Sequence, residues 1–484
     1  MRGTKIVCTM GPATNDSNII ESLIRVGMDV ARLNLSHGTH DYHREMYLKI
    51  RSIAKDLCKN IAVLFDLQGP KIRTGLLENH KPIELIRGKH IKITSEQITG
   101  NSKIISTDYS HLPDEVKPGN RILLADGTLE LKVIKSHPPE IECEVVRGGM
   151  LGERKGMNLP EIPIKLPSMT EKDWDDLDFG ISLGADYFAL SFVRSPEDVV
   201  QVKKRLQDKN SPAKVIAKIE RPEALRCLDE IIDVSDALLI ARGDLAVETT
   251  LEEVPLVQKR IIRKCNIAGI PVITATQMLE SMTEHPIPTR AEMSDVANAV
   301  LDGTDAVMLS AETATGKNPV SAVEVMDKII RCVENDQRYF ECPFDEMCKT
   351  PSLKSDNNVF HSKIEDTAIA SGKAVKQLVM ALNTKAIACF TYSGYSAMAI
   401  SNSRPKVPIY ALTPNDNVAQ QCSLFWGVQA IKLPEVNSIE NMLLAVEKTL
   451  IARKLVKRGD MVIIAAGYPL SVACPTNLIK VHVI

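Results

Sequence analysis

The chain has 484 residues, with 59 basic and 61 acidic side chains and a formal net charge of −2. This length exceeds what one hydrophobic core supports, so two or three domains are expected. The balanced charge gives no sign of a nucleic-acid or membrane partner, since both usually require a basic excess. The eleven cysteines include no C-x-x-C pair, which argues against structural zinc and favours a reducing cytoplasm. No apolar run reaches the roughly 20 residues of a membrane span.

Eight apolar runs recur along the chain, several of them separated by amphipathic, helix-like stretches such as 18–26 and 40–59. Such runs without alternation are typical of parallel strands that are covered on both faces. They comprise residues 5–11, 29–36, 60–69, 185–193, 213–220, 236–245, 271–278 and 305–313. Successive β-then-α units predict a (β/α)₈ TIM barrel, an α/β fold, in residues 1–70 and 168–338. The alternative, a doubly wound open sheet, is not supported by a G-x-G-x-x-G after the first strand. We find no internal repeat in the sequence.

Residues 71–167 interrupt this pattern after the third strand. They contain short alternating segments at 89–94, 121–124 and 140–145, with glycine and proline between them. This texture predicts a small all-β insertion. Its place in the sequence puts it at the carboxyl-terminal face of the barrel, where it would act as a lid that excludes water from a bound substrate.

A third unit is predicted in residues 339–484. The helical stretch 321–335 leads into the polar segment 336–362, which contains prolines and reads as a linker. Five apolar runs follow, with helical stretches 366–382 and 438–456 among them, so a compact α/β domain is expected. The five runs are residues 386–390, 407–412, 428–433, 461–466 and 478–484.

Two of the predicted strands end abruptly in charge. Lys218 and Glu220 close the fifth strand, and Asp244 lies near the end of the sixth. The carboxyl ends of parallel strands meet on one face, so these side chains are expected together. Carboxylates are hard oxygen ligands suited to Mg²⁺, and an ammonium supplies a point charge for an anion.

Other strand ends add polar groups to the same face. In the second strand, alternation places Arg32, Asn34 and Ser36 on one side. A buried arginine is costly unless paired, so Arg32 either forms a structural salt bridge or grips a phosphate or carboxylate. Asp66 ends the third strand as a cation ligand, a supporting acid or a turn cap. Thr276 ends the seventh, and a threonine there is more often a capping than a catalytic hydroxyl.

These groups together predict an anionic substrate held by Arg32 and Lys218, with a divalent cation at Glu220 and Asp244. Such a site favours phosphoryl transfer or enolate chemistry. Of the ten histidines only His37 falls near the predicted site, which gives little support to Ser-His-Asp or Cys-His catalysis.

With these residues in place, the chain resembles the pyruvate kinase family over essentially its full length. The matching segments are KIVCTMGPA (5–13), RLNLSH (32–37), DLQGPKIRTG (66–75), AKIE (217–220), ARGDL (241–245), ATQMLESM (275–282) and LSAET (309–313). Their number and order make the resemblance highly specific. It implies a TIM barrel with a small β-barrel lid after strand three and a C-terminal α/β regulatory domain, which agrees with the layout above.

The resemblance implies phosphoryl transfer from phosphoenolpyruvate to ADP, the last step of glycolysis, with Mg²⁺ as the metal and Mn²⁺ as a substitute. Glu220 and Asp244 would hold the metal, Lys218 would stabilise the phosphoryl group in transfer, and Arg32 would contact that phosphate. The Gly243 backbone and Asp244 would meet the substrate carboxylate.

Further roles follow from the same resemblance. Thr276 would lie beside the substrate, and with nearby water it is the family's candidate for relaying a proton to the enolpyruvate. The nucleotide would be bound by Asn34, Ser36, His37 and Arg73 at the barrel mouth and by Lys155 from the lid.

Lys71 bears on the monovalent-ion requirement. It stands where the K⁺-dependent members of the family carry glutamate, and the chain resembles the K⁺-independent kind. A tethered ammonium near Asn34, Ser36 and Asp66 can supply the charge of a bound K⁺. Leu67, where a hydroxyl residue is common in K⁺-dependent members, gives weaker support because its carbonyl can still bind a cation.

The segment Thr391, Ser393, Gly394 and Ser396 follows a strand and opens a helix, where backbone N–H groups suit a phosphate. A plain capped turn is the alternative. The family uses the matching loop for effectors, so fructose 1,6-bisphosphate, AMP or a monophosphorylated sugar is expected. Asn402 stands where an arginine is frequent, although Arg404 is near in sequence. The family also implies a homotetramer.

Two rival functions remain open. One is a lyase or aldolase of the phosphoenolpyruvate/pyruvate group that uses the Glu220 and Asp244 pair for an enolate. The lid, Arg73 and Lys155 argue against it, since a lyase needs no second phosphate site. The other is a catalytically silent sensor. This is not favoured, because every charged residue that the reaction requires is present in the sequence.

Overall fold

The structure, a computed structural model, describes residues 2–160, 162, 166–336, 359–470 and 474–484, with residues 359–366 in backbone only. Eight parallel strands close into a barrel in the order β1-β16-β15-β14-β13-β12-β3-β2, which confirms the predicted fold. These strands are β1 (Lys5–Met10), β2 (Val30–Asn34), β3 (Ala62–Asp66), β12 (Tyr187–Leu190), β13 (Lys214–Ile219), β14 (Ala237–Ala241), β15 (Val272–Ala275) and β16 (Ala306–Leu309).

Helices surround this barrel. They span Ser17–Val26, His40–Asp56, Glu171–Leu183, Pro196–Asp208, Pro222–Arg226, Leu228–Val234, Arg242–Glu248, Val254–Ala268, Arg290–Leu301, Ala311–Ala314 and Pro319–Glu334. Short 3₁₀ turns lie at Pro12–Thr14, Glu78–His80, Leu251–Glu253, Glu280–Thr283 and Cys422–Leu424. No helix in the described part of the chain has both the length and the apolarity to cross a bilayer.

Both faces of each barrel strand are apolar, which accounts for runs without alternation. In β1, Ile6 and Cys8 pack outward against the helices, whereas Val7 packs toward the barrel interior. The interior cluster continues into the C-terminal domain. There, the Tyr187 hydroxyl donates to the carbonyl of Gln421 over 2.7 Å. The Lys5 ammonium likewise donates to the carbonyl of Val428 over 2.7 Å.

Four aspartates at the amino end of the barrel form a repeated contact that the sequence did not reveal. They lie immediately before β2, β12, β14 and β16. Each accepts the backbone N–H of the first or second residue of the barrel strand that comes earlier in the sequence, namely β1, β3, β13 and β15, respectively. The pairs are Asp29 with Ile6 (2.9 Å), Asp186 with Val63 (2.7 Å), Asp236 with Val215 (2.8 Å) and Asp305 with Val272 (2.9 Å). The barrel is thus tied together two strands at a time.

Several strands end earlier than predicted. β14 stops at Ala241, and the helix Arg242–Glu248 follows at once, so Asp244 lies in a first helical turn rather than in a strand. β15 likewise stops at Ala275, and Thr276 adopts a left-handed backbone with φ of 66°. Asp244 and Thr276 therefore lie beyond the hydrogen-bonded part of their strands. Their backbone can turn or begin a helix there, at the mouth of the barrel.

The described part of the insertion is all β apart from the single-turn helix Leu112–Glu115 and the 3₁₀ turn Glu78–His80. One sheet has six strands in the order β11-β7-β8-β9-β5-β6, and a second pairs β10 with β4. The strands are β4 (Ile83–Leu85), β5 (His90–Thr94), β6 (Ile104–Ser106), β7 (Arg121–Leu124), β8 (Leu129–His137), β9 (Glu140–Arg147), β10 (Gly149–Leu151) and β11 (Met157–Asn158). A separate apolar core fills this domain.

The C-terminal domain has a five-stranded sheet in the order β19-β18-β17-β20-β21. Its strands are β17 (Ala386–Phe390), β18 (Ile409–Thr413), β19 (Val428–Lys432), β20 (Met461–Ala466) and β21 (Leu478–Val483), and its helices are Val359–Leu382, Tyr395–Asn402, Asp416–Gln421 and Ile439–Ala452. Most of the predicted linker 336–362, with the predicted domain boundary at 338–339, lies outside the described residues. The helix predicted from residue 366 begins at Val359, because no proline or glycine interrupts residues 359–371.

Candidate active site

Four charged side chains from three strands meet at the carboxyl-terminal mouth of the barrel. The Asp66 carboxylate accepts a hydrogen bond from Arg32 Nε over 2.7 Å. Its other oxygen lies 3.3 Å from Lys218 Nζ, and the Lys218 ammonium is 2.9 Å from Glu220 Oε1. The side chains of Asp66 and Glu220 are 2% and 1% exposed, so these ion pairs are shielded from water. The structure therefore joins four residues that the sequence placed only on a common face.

The pKa directions follow from this mutual contact. Burial alone would raise the pKa of Asp66, but Lys218 and Arg32 lower it below its ordinary value. Burial alone would lower the pKa of Lys218, yet Asp66 and Glu220 raise it, so the side chain stays an ammonium. Burial raises the pKa of Glu220, and the nearby charge of Asp244 raises it further against the opposing effect of Lys218. The site thus holds fixed charges of both signs away from water.

The end of β12 contributes two groups that the sequence analysis passed over. The Ser191 hydroxyl accepts a hydrogen bond from Lys218 Nζ over 2.6 Å and donates to the carbonyl of Leu67 over 2.7 Å. The backbone N–H of Phe192 donates to Glu220 Oε2 over 2.7 Å. A polar residue at the end of the apolar run 185–193 was the signal that could have identified Ser191.

Thr9 is a second residue that the sequence analysis did not assign. Its hydroxyl accepts a hydrogen bond from Arg32 Nη1 over 2.9 Å and donates to the carbonyl of Leu309. The remaining nitrogen of Arg32, Nη2, has no hydrogen-bond partner among the described residues. Arg32 thus forms a structural ion pair with Asp66 and also keeps one nitrogen available for a ligand. Both roles that the sequence suggested for this residue are therefore compatible.

Gly243, Asp244 and Thr276 lie on adjoining turns after β14 and β15. The Gly243 N–H donates to the Thr276 hydroxyl over 2.8 Å, and that hydroxyl donates to the carbonyl of Ala275 over 2.6 Å. Arg242 fixes this arrangement by donating to the carbonyls of Thr276 and Ala275. In this structure the Gly243 N–H is therefore paired with Thr276, and a substrate carboxylate would have to replace that bond.

Glu220 and Asp244 fit a divalent cation. None of the described residues donates a hydrogen bond to the Asp244 carboxylate, and its charge destabilises the ionised form of buried Glu220. A cation between them would relieve that repulsion. Within the described ranges, no three His, Cys, Asp or Glu side chains form a ligand cluster. A two-carboxylate set suits Mg²⁺, which usually keeps several waters and substrate oxygens as ligands.

The loop after β2 carries the predicted nucleotide residues Asn34, Ser36 and His37. The Asn34 side chain accepts the backbone N–H of Ser36 over 3.1 Å. Two flanking residues hold the loop: the Lys172 ammonium donates to the carbonyl of Leu35 over 2.8 Å, and His43 Nε2 donates to the carbonyl of His37 over 2.7 Å. The loop is thus fixed through its backbone, while His37 is exposed.

Arg73 and Lys155 come together on the lid. Arg73 pairs with Gly156 in an isolated bridge, and the N–H of Thr74 donates to the carbonyl of Lys155 over 2.9 Å. Lys155 is exposed and forms no ion pair with a described residue. The lid itself is joined to the helix that carries Asp244, since Asn158 Nδ2 donates to the buried Glu248 carboxylate over 2.9 Å.

The structure does not bring Lys71 into contact with Asp66. Asp66 is paired with Arg32 and Lys218 instead, and the Lys71 side chain runs beside Gly156 of the lid. Asn34 and Ser36 remain linked to each other. The predicted monovalent-ion group is therefore only partly assembled in this conformation.

The C-terminal segment lies at a separate cavity of about 330 Å³. Thr391, Ser393 and Ser396 line it, and Gly394 has φ of 88° and precedes the helix Tyr395–Asn402. No lysine or arginine is among the described lining residues. Arg404 is not at this cavity; it is buried against the barrel, where it pairs with Asp305 over 2.8 Å. Nearness in sequence was misleading because the chain turns toward the barrel after Asn402.

The same architecture occurs in known proteins. The family model described as pyruvate kinase, barrel domain, matches residues 1–323, and the one described as pyruvate kinase, alpha/beta domain, matches residues 368–482. The chain belongs to the pyruvate kinase family. It is 43% identical over 488 aligned residues to the pyruvate kinases of Staphylococcus aureus strains MRSA252 and USA300, which covers all of this chain and 81% of each relative.

A solved structure gives the same result. The crystal structure of a pyruvate kinase from Cryptosporidium parvum superposes with a TM-score of 0.90 at 37% identity, covering all of this chain and 96% of that one. The chain is therefore a phosphotransferase of the pyruvate kinase type, and phosphoenolpyruvate and ADP are the substrates of its family.

Proposed function

We propose that this enzyme transfers the phosphoryl group of phosphoenolpyruvate to ADP with Mg²⁺ bound by Glu220 and Asp244. The buried row of Arg32, Asp66, Lys218 and Glu220 carries this proposal, because it places fixed positive charge beside a carboxylate pair suited to the metal. When bound, the cation would neutralise charge on the substrate and the transferring phosphate.

The protein side chains have separable tasks. Arg32 directs its free Nη2 at a phosphate oxygen, while Asp66 and Thr9 hold the rest of the guanidinium. Lys218 stays protonated and meets the negative charge of the moving phosphoryl group. The backbone at Gly243, with Asp244, addresses the substrate carboxylate through N–H donors, and Thr276 with nearby water relays the proton to the enolpyruvate. The Thr276 hydroxyl would first have to leave the carbonyl of Ala275.

The nucleotide is proposed to lie between the loop Asn34, Ser36 and His37 and the lid residues Arg73 and Lys155. The exposed ammonium of Lys155 supports this placement, because it forms no ion pair with a described residue and is available for a diphosphate. Closure of the lid would shield the transfer from water.

A coupled assay with phosphoenolpyruvate, ADP and Mg²⁺ tests the function directly. ADP-dependent formation of pyruvate and ATP is expected. Pyruvate-group chemistry without ADP would favour the lyase, and absence of turnover with retained phosphoenolpyruvate binding would favour the silent sensor. Omission of Mg²⁺, with Mn²⁺ as the replacement, tests the metal in the same assay.

We further propose that turnover is independent of K⁺. Oxygens that could bind K⁺ already have partners: Asp66 pairs with Arg32 and Lys218, and the carbonyl of Leu67 accepts the Ser191 hydroxyl. Lys71 would move from Gly156 toward the mouth to supply the missing charge when the lid closes. The assay in buffer free of Na⁺ and K⁺ should give nearly full activity. The Lys71→Glu variant should instead require K⁺, and many-fold K⁺ activation of the wild type would contradict the proposal.

The C-terminal cavity is proposed to bind a phosphorylated allosteric effector. Hydroxyls of Thr391, Ser393 and Ser396 at a helix start can hold one phosphate. The described lining offers no basic side chain for a second, which favours AMP or a monophosphorylated sugar over fructose 1,6-bisphosphate. Measuring turnover with each of these compounds added would identify the effector. In the Ser393→Asp variant, the added negative charge should repel the phosphate and abolish activation.

A homotetramer in the cytoplasm is the proposed setting. Leu251, Leu256 and Ile287 are 72%, 69% and 72% exposed on the barrel, as expected of apolar residues that another subunit covers. All nine described cysteines are free thiols, which suits a reducing compartment. Light scattering should give four subunits, and a monomer mass would contradict the assembly.

A further inference from the structure

The turn at the end of β12 contacts both halves of the active site. Ser191 is 2% exposed, and its hydroxyl has one proton, which it donates to the carbonyl of Leu67 over 2.7 Å. Asp66 Oδ1, at 3.5 Å, is a more distant acceptor. With the proton directed at Leu67, a lone pair of the hydroxyl faces Lys218 Nζ at 2.6 Å.

The neutral character of this contact matters for Lys218. Its ammonium has three protons, and they face Ser191, Glu220 and Asp66. The two carboxylates attract the ammonium but also offset its charge toward a substrate. The Ser191 hydroxyl is the shortest of the three contacts and fixes the position of the nitrogen without cancelling its charge.

The next residue acts on the metal side. Phe192 has a left-handed backbone with φ of 55°, which is uncommon for a bulky residue, and its N–H donates to Glu220 Oε2 over 2.7 Å. Two consecutive residues therefore hold the ammonium of Lys218 and the carboxylate of Glu220. The spacing between these two groups depends on the conformation of this one turn.

Gly69 keeps the turn in place from the other side. It has φ of 68°, and a Cβ added there would lie 2.9 Å from the Phe192 ring and 3.0 Å from Ser191 Cβ. Only glycine permits this approach. Because the lid begins two residues later, the turn also lies against the base of the lid.

We propose that Ser191 is a positioning residue for Lys218, and that the Ser191–Phe192 turn sets the spacing between Lys218 and Glu220 that phosphoryl transfer requires. This inference rests on the proposed function, since it assigns Lys218 and Glu220 their roles. Ser191 acts through Lys218, not on the substrate.

The test is Ser191→Ala, with Ser191→Thr as the variant that restores a hydroxyl. For the alanine variant kcat should fall about 10- to 100-fold, because the ammonium loses its fixed position. The KM values for phosphoenolpyruvate and ADP should change less than about threefold, since binding groups other than Lys218 are intact. Ser191→Thr should recover most of kcat. Ser235→Ala is the matched control, because Ser235 is a buried barrel serine that donates to the carbonyl of Ile231 away from the site.

A double-mutant cycle separates positioning from general structure. In the Lys218→Met background, Ser191→Ala should leave the residual turnover unchanged, because the group that it positions is gone. An equal loss in both backgrounds, or a kcat of Ser191→Ala within twofold of wild type, would overturn the proposal. Should the alanine variant unfold, Ser191→Cys preserves the volume while replacing the hydroxyl by a weak acceptor.

A crystal structure of Ser191→Ala gives a readout that does not depend on activity. Lys218 Nζ should shift away from the former hydroxyl toward Asp66 or Glu220. An unmoved Nζ overturns the positioning role whatever the assay shows. Conversely, an inactive wild type would refute the proposed function while the displacement in the crystal would still decide the positioning role.

Discussion

Both ends of the barrel contain ion pairs, but the pairs are held by different groups: by backbone N–H groups at the amino end and by other side chains at the carboxyl end. At the amino end, Asp29, Asp186, Asp236 and Asp305 each accept a backbone N–H from a neighbouring strand while they pair with a cation. At the carboxyl end, Arg32, Asp66 and Lys218 contact mainly each other and the hydroxyls of Thr9 and Ser191.

The anchors determine what each end can do. A carboxylate that holds a strand N–H cannot be released without breaking the contact between strands, so the amino end maintains the fold. A side chain held by other side chains can exchange one partner for a ligand, so the carboxyl end can bind and react. Asp66 and Glu220 at the carboxyl end are 2% and 1% exposed, whereas Asp29 and Asp236 at the amino end are 20% and 21% exposed. The two ends therefore differ in burial as well as in the groups that hold their carboxylates.

The largest expected effect tests the carboxyl end. Lys218→Met should lower kcat by at least about 10²–10³-fold, because a preorganised charge beside the transferring group is lost. The assay is steady-state turnover of phosphoenolpyruvate and ADP. Lys203→Met, which removes a cation 3.1 Å from Asp236 at the amino end, is the matched control and should retain turnover. Near-wild-type activity of Lys218→Met would contradict its role.

The second effect tests the amino end. Asp305→Asn removes the charge partner of Arg404, whose side chain is 3% exposed, and so leaves a buried guanidinium without an opposite charge. Stability should fall by about 3 kcal/mol, while kcat at low temperature stays near wild type. Thermal unfolding measures the change. Asp178→Asn, on a partly exposed surface pair with Arg205, should cost much less. Equal melting temperatures for both variants would contradict the role of the buried Asp305 pair in maintaining the fold.

A smaller effect is expected for a residue that supports the mouth from outside. Lys172→Met removes the donor to the carbonyl of Leu35, so the loop of Asn34, Ser36 and His37 should loosen. The KM for ADP should rise about fivefold, equivalent to roughly 1 kcal/mol, with little change in kcat. Lys49→Met, which removes a surface contact to Asn15, should leave this KM unchanged. A loss confined to kcat would argue that the loop acts on chemistry rather than on binding.

The smallest effect concerns the lid and depends on pH. Burial alone would raise the pKa of Glu130, but Arg121 and Arg147 lower this pKa below its ordinary value. A carboxylate with a depressed pKa stabilises the fold above its unfolded pKa of about 4.3, and this contribution is lost as the pH falls through the folded value.

Glu130→Gln should therefore destabilise the lid by roughly 0.5–1 kcal/mol at neutral pH, and the difference from wild type should shrink as the pH falls below about 4. Hydrogen exchange of β7 and β8 amides, expressed as the ratio of variant to wild type at each pH, measures it. A ratio independent of pH would show that the three side chains do not act through charge.

The barrel, the β insertion after strand three and the C-terminal α/β domain could all be predicted from the sequence. Apolar runs of strand length alternating with helices admit few folds, because both faces of each strand must be covered. The sequence also indicated Arg32, Lys218, Glu220 and Asp244 as candidate site residues, because a charge at the end of a buried strand costs free energy unless it is paired or binds a ligand.

Which polar groups become partners depends instead on how the chain folds. Ser191 and Thr9 are ordinary hydroxyl residues until strands distant in sequence place them against Lys218 and Arg32. Arg404 looked available to an effector, but the fold directs it into a buried pair with Asp305. The four aspartates at the amino end are dispersed in sequence and become a repeat only when the barrel closes. Hydrogen bonds between strands depend on register and closure, and local sequence patterns do not encode either one.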